Sequence, residues 1–247
     1  MTALQVEIYP DRPALVARSQ TLVLERIRTA IAQRGTCSLA LAGGSTPKPL
    51  YEALAKETLP WSKLHVFWGD ERYVPIDHPD SNAGMAKAAW LDKVPIPTEQ
   101  IYSVPTNLEK PSDAALQYEQ TLRQVLGSDE WPQFDLILLG MGDDGHTASL
   151  FPHTAALAVR DRLVTVGEKS GAPRITFTAP LINQSRCVLF LVSGSNKQAA
   201  LTQVFAADGD DDAFPSRKIR PQGELLWLLD ADAGEPLKTF PGVKIFA

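Results

Sequence analysis

The run CVLFLV at residues 187–192 constrains the fold more than any other stretch. It is apolar throughout and too short for a core helix. A strand of this kind has to be buried on both faces, as in a parallel sheet covered by helices. Residues 225–229 (LLWLL) read as a second buried strand, and 37–41 and 136–139 as short apolar strands. Amphipathic segments lie between such runs. In residues 14–33, Leu15, Leu22, Ile27 and Ile31 recur at roughly helical spacing, and Gly35 ends the pattern. A second amphipathic helix is predicted over 114–126. Shorter helices are predicted from Pro47 through Leu54, from Asn82 to Leu91, and from 197 to Phe205. Further strands are expected at 4–9, on a sheet edge, at 64–68, and at 163–166 and 175–177 around a loop at 168–174. Alternation of strand and helix predicts an α/β fold, a mostly parallel sheet with helices on both faces. One domain over 1–247 is expected, with the Pro-rich segment 93–112 as an insertion and a polar tail after residue 229.

With 44% hydrophobic residues the chain can bury a large core, and its net charge of −5 disfavours a general nucleic-acid or anionic-membrane binder. A local basic cluster for a small anion remains compatible with that charge. The two cysteines, Cys37 and Cys187, fall inside apolar runs and read as buried reduced thiols. The N-terminus lacks a basic region followed by an apolar stretch, and no apolar run approaches the ~20 residues of a membrane span. A cytoplasmic protein is expected. A monomer is the working expectation, since no sequence feature sets an oligomeric state.

The chemistry gathers at strand ends. GGSTP at 43–47, GDER at 69–72, GMGDDGH at 140–146 and SGSNK at 193–197 each follow a strand. In an open parallel sheet the carboxyl ends of the strands line one crevice, so these turns are expected to meet there. Gly43, Gly44 and Ser45 offer backbone N–H groups before a helix, which suits a phosphate. The turn is neither GxxxxGK[ST] nor GxGxxG, so a nucleoside triphosphate or a dinucleotide is disfavoured. Arg72 can hold phosphate oxygens in a bidentate fork, or pair at the surface with Glu71 or Asp70. Lys197 adds a point charge in the first turn of its helix, or is simply solvated. His146 is placed just inside a short helix opening at 147–151, where it is a candidate general base; a packing or capping role stays open. Asp144, two residues earlier, can orient its ring or cap that helix. His153 is placed behind His146. No HExxH or CxxC spacing supports a metal, and no GxSxG supports a serine nucleophile. The acidic segment 208–212 reads as a solvated connection, and 216–217 could reach the site.

Together, LAGGSTPKPLYEAL (41–54), FWGDERYVPIDHPDSNAGMAK (67–87), LILLGMGDDGHTASLFPHT (136–154), RITFTAPLIN (174–183) and SGSNKQAAL (193–201) resemble the 6-phosphogluconolactonase family. The resemblance implies the fold shared with glucosamine-6-phosphate deaminase and ribose-5-phosphate isomerase. It implies hydrolysis of 6-phospho-D-glucono-1,5-lactone in the oxidative pentose phosphate pathway, with no metal or cofactor and a small sugar phosphate as the only partner. By the same resemblance His146 activates water with Asp144 beside it. Arg72, Lys197 and the 43–45 turn hold the 6-phosphate, and Asp70 and Arg174 line the sugar site. The rival readings are a deaminase-like isomerase and a non-catalytic sugar-phosphate sensor. The deaminase reading expects an acid shortly after His146, and residues 147–157 contain none.

Overall fold

A computed structural model describes residues 4–127 and 131–246. In chain order the regular elements are β1 (Leu4–Tyr9), α1 (Arg12–Arg34), β2 (Cys37–Leu41), α2 (Lys48–Leu54), β3 (Leu64–Trp68), β4 (Asp70–Arg72) and α3 (Asn82–Ala89). They continue with α4 (Pro111–Leu126), β5 (Leu136–Leu139), β6 (Val164–Lys169), β7 (Ala172–Phe177), α5 (Ala179–Asn183) and β8 (Cys187–Val192). The last are α6 (Gln198–Phe205), β9 (Glu224–Asp230), α7 (Ala231–Gly234) and β10 (Val243–Ile245).

The main sheet has seven strands in the order β10-β1-β9-β8-β5-β2-β3, and every neighbouring pair is parallel. Its strands are apolar on both sides because two cores press on it. Val188, Phe190 and Val192 face one core, with Tyr118 and Leu122 of α4, Leu201 of α6 and Phe177. Leu189 and Leu191 face the other, with Leu22 and Ile27 of α1 and Leu50 and Leu54 of α2. Period-two alternation of the strand thus serves two helix layers at once. No described helix is long and apolar enough to cross a membrane.

Helix boundaries follow local chemistry. Asp11 caps α1 by accepting the Ala14 N–H at 2.8 Å, and Gly35 at φ 83° closes it with its N–H on the Ile31 carbonyl. Two buried tyrosines finish the strands that lead to the crevice. Tyr51 donates to the Ala42 carbonyl (2.7 Å) and accepts the Ala42 N–H (3.1 Å). Tyr118 makes the same pair of bonds with Trp68, at 3.0 and 2.8 Å. Backbone groups at the ends of β2 and β3 are thereby satisfied without water.

Several expectations are corrected. Residues 69–72 form more than a turn: Asp70–Arg72 is a strand, antiparallel to β7, in a second sheet of order β4-β7-β6. The expected loop at 168–174 is most of a hairpin whose only turn residues are Ser170 (φ 53°) and Gly171 (φ 79°). Two consecutive positive φ values match the twist of a tight hairpin. No helix opens at 147–151. Ala148 has φ 48°, and Thr147 and Leu150 bridge each other. Thr147 and Ser149 spend their hydroxyls on Gly140 and Asp70, and Pro152 disfavours a helical Phe151. The strand at 4–9 is not an edge, because the supposed polar tail folds into α7 and β10 and covers it. Within 93–112, Ile101 bridges Val66 and the Tyr102 N–H donates to the Val66 carbonyl at 2.8 Å, so this segment shields the outer side of β3.

Tyr118→Phe keeps the packing but strands the Trp68 N–H in the core. It is expected to cost about 1–3 kcal/mol, read from urea unfolding.

Candidate active site

The parallel register sets the site. Leu41 pairs with Trp68, Ala40 with Ile137, and Leu139 with Phe190, so β2, β3, β5 and β8 end close together. The chain steps from β2 outward to β3 and returns on the other side of β2 to β5. A crevice opens where the order reverses. All four glycine-containing strand ends line one cavity of about 440 Å³ there, as the sequence had implied.

The turn after β5 is folded on itself. The Gly142 N–H donates to the His146 carbonyl at 2.8 Å, and Thr147 Oγ1 donates to the Gly140 carbonyl at 2.8 Å. Ser216 supports it from below, its N–H and hydroxyl donating to the Gly145 carbonyl at 2.9 and 2.8 Å. Segment 216–217 therefore braces the turn through Ser216 and does not itself line the cavity. Arg217 turns away, pairs with Asp211 at 2.9 Å and donates to carbonyls at the end of α6.

Within this turn His146 Nδ1 lies 2.5 Å from Asp144 Oδ1, and the same oxygen accepts the His146 backbone N–H at 3.1 Å. A carboxylate on Nδ1 selects the Nδ1–H tautomer and leaves the Nε2 lone pair for chemistry. Burial alone would raise the Asp144 carboxyl. The hydrogen bonds from His146, with the charges of His146 and Lys169, overcome this and hold it at about 2. Asp144 thus orients the imidazole and does not cap a helix. Gly142 leaves room for the pair, since a Cβ there would overlap His146 Nδ1 and Asp144 Oδ1. The imidazole packs on Phe151, ring centroids 4.5 Å apart. His153 is not behind it: His153 is exposed, with its N–H on the Asp212 carbonyl at 3.1 Å.

Four cations, Arg72, Arg174, Lys169 and Lys197, line the cavity against Asp70 and Asp143. Arg72 and Arg174 are direct cross-strand partners. Like charges so placed repel, and an anion between them relieves the repulsion. Burial, and then the neighbouring Arg72, lower the Arg174 guanidinium from its ordinary value. Arg72 forms no ion pair among the described residues; it donates to the Asp80 carbonyl at 2.6 Å, and its Nε is buried without a partner. The Glu71 carboxylate is already engaged by the N–H groups of Arg72, Asn82 and Ala83 and by the Ser81 hydroxyl. Asp70 accepts the Ser149 hydroxyl at 2.6 Å. Lys197 also forms no ion pair among the described residues. It stands at the cap position before α6, in a single 3-10 turn, and not in the helix's first turn.

Gly43 and Gly44 answer different demands. A Cβ on Gly43 would overlap the Asn82 side chain, whereas Gly44 needs φ 96°. Arg12 donates to the Ser45 carbonyl and steadies the turn from outside. Asp230 clamps the 193–197 turn, accepting the Ser193 hydroxyl and the Gly194 N–H. Asn82 and Lys169 also line the cavity and Ser149 fixes Asp70 from behind it, although no strand-end motif marks any of the three. Asn82 and Ser149 sit among small residues, and Lys169 was hidden inside a supposed loop. The Ser-Gly pair at 170–171 was the available hairpin signal.

A model of the Glucosamine-6-phosphate isomerases/6-phosphogluconolactonase family matches residues 10–227. The chain belongs to that family. It is 62% identical over 234 residues to a 6-phosphogluconolactonase of Nostoc sp., covering 94% of this chain and 98% of the relative. The solved 6-phosphogluconolactonase of Trypanosoma brucei superposes with a TM-score of 0.83 at 30% identity, over 96% of this chain and 100% of that one. A monomeric glucosamine-6-phosphate deaminase shares the family fold, with a TM-score of 0.78 at 20% identity, over 94% and 99% of the two chains.

A short Nδ1–H···O bond gives a far-downfield proton resonance. That signal is expected in the wild type and absent in Gly142→Ala, whose added methyl displaces the ring; its persistence there would contradict the packing described.

Proposed function

We propose that this chain is a lactone hydrolase that converts 6-phospho-D-glucono-1,5-lactone to 6-phospho-D-gluconate in the oxidative pentose phosphate pathway, with residues 1–247 acting as one domain. The observation that carries the reading is the His146–Asp144 pair set into a cavity whose other walls bear cations.

A δ-lactone is an activated ester, so an oriented water and one base suffice, without a covalent nucleophile. Nε2 of His146 takes a proton from water as the water attacks C1, and Asp144 stabilises the imidazolium that forms. Arg72, Lys197 and the 43–45 turn hold the 6-phosphate. In support, the N–H groups of Gly43, Gly44 and Ser45 make no backbone hydrogen bond among the described residues, and so remain available to an anion. Asp70 and Arg174 line the sugar, with Asp70 fixed by Ser149. Anchoring the phosphate presents C1 to the base, which is the positioning effect. No metal or cofactor enters these steps. A phenyl ring, Phe151, stands against the imidazole, and no carboxylate follows it in residues 147–157, so deamination lacks its acid.

Lactone hydrolysis corrected for the spontaneous reaction tests the reading directly. His146→Ala is expected to lower kcat by about 10²–10⁴-fold with little change in KM; a wild-type rate in that variant would sink the mechanism. Arg72→Ala is expected to act mainly on KM.

The pH profile has a definite sign. The Asp144 carboxyl is depressed to about 2, so its support for the imidazole is complete above the ordinary carboxylate range. That support is lost only as pH falls towards about 2. The acid limb of the rate profile therefore does not arise from loss of this carboxylate. Asp144→Asn, whose amide cannot stabilise the imidazolium as a carboxylate does, is expected to lower kcat at every pH above that range.

A further inference from the structure

Water attack on a lactone carbonyl places a full negative charge on its oxygen, and the base cannot stabilise that charge. We infer that Lys169 supplies the missing donor, its ammonium hydrogen-bonding the C1 oxyanion as it forms. This rests on the lactonase reading above.

The placement of Lys169 argues for it. It is the last residue of β6, opposite Ala172, at the rim of the cavity that His146 lines. The hairpin turns within Ser170 and Gly171, so Lys169 keeps its place in the β6–β7 register. Lys169 Nζ stands 5.3 Å from the centre of the Phe151 ring, and that ring packs 4.5 Å from the imidazole. Of the cavity's cations, this one belongs to the side of the base, and its charge is felt at Asp144. Arg174 also lies over Phe151, at 5.9 Å, but its charge is coupled to Arg72 and Asp70. Arg72 is tied to the Asp80 carbonyl, and Lys197 rises from the turn after β8. Lys169 forms no ion pair among the described residues, and its long stem carries a compact charge with three donors.

The step balances without any further reactant. The water oxygen bonds C1 while its proton passes to His146 Nε2. The carbonyl electron pair moves onto the exocyclic oxygen, which accepts a hydrogen bond from Lys169 without taking its proton. On collapse the C1–O5 bond breaks, and the imidazolium returns the proton to O5. The new carboxylic acid releases a proton to solvent. Lys169 binds the oxyanion better than the ground-state carbonyl, so its contribution falls on kcat.

Lys169→Met keeps an unbranched stem of similar length and removes the charge. On the phosphorylated lactone it is expected to lower kcat by about 10²-fold with KM within threefold, and Lys169→Arg to recover most of the loss. An unchanged kcat, or a loss confined to KM as a phosphate ligand gives, overturns the inference. Lys169 is exposed, so unfolding is not expected, and matching thermal midpoints check this. If the wild type itself fails to accelerate hydrolysis, the lactonase reading fails instead, which separates the two.

Discussion

Strands that are apolar on both faces must be covered on both faces, and the rest of this structure follows from that requirement. β2, β5, β8 and β9 can be buried only if helices run back along the sheet between successive strands. That connection makes the strands parallel. Parallel strands bring their carboxyl ends to one edge. The crevice at the reversal between β2 and β5 is therefore a consequence of how the core is buried.

The chemistry is laid over this frame by a smaller device. Beyond Gly69 the chain leaves the parallel sheet and pairs antiparallel with β7. Antiparallel pairing sets Arg72 opposite Arg174, and the hairpin from β6 carries Lys169 to the rim beside Phe151, on which the imidazole packs. The parallel sheet contributes glycine turns and His146, and the second sheet contributes most of the positive charge. Each half alone is incomplete: the turns without the arginines carry little positive charge, and the arginines without the turns lack the imidazole. Glu71 locks the two together, since its buried carboxylate gathers the N–H groups of Arg72, Asn82 and Ala83. Asn82 in turn crosses over Gly43 and donates to the Asp70 carbonyl.

Much of this was legible in the sequence where the signal was local. The apolar runs at 37–41, 136–139, 187–192 and 225–229 and the helix stop at Gly35 need only period and composition to be read. What misled was context. Thr147–Phe151 has a helical look, yet hydroxyls at 147 and 149 find better partners across the chain, in Gly140 and Asp70. Residues 168–174 look like a loop because their exposed side chains break the alternation, although Ser-Gly at its centre is a tight-turn pair. β10 is short and polar, and only its pairing with β1 makes it a strand.

By itself, then, the sequence determined the fold class, the glycine turns at the strand ends and the histidine set among them. Each of these is written within a few neighbouring residues. The tertiary structure decided which groups stand together. The pairing of Asp144 with Nδ1, the facing arginines, the fixing of Asp70 by Ser149 and the approach of Lys169 to Phe151 depend on register and on where a side chain can reach. Those are properties of distance in space, and separation along the chain carries little information about them.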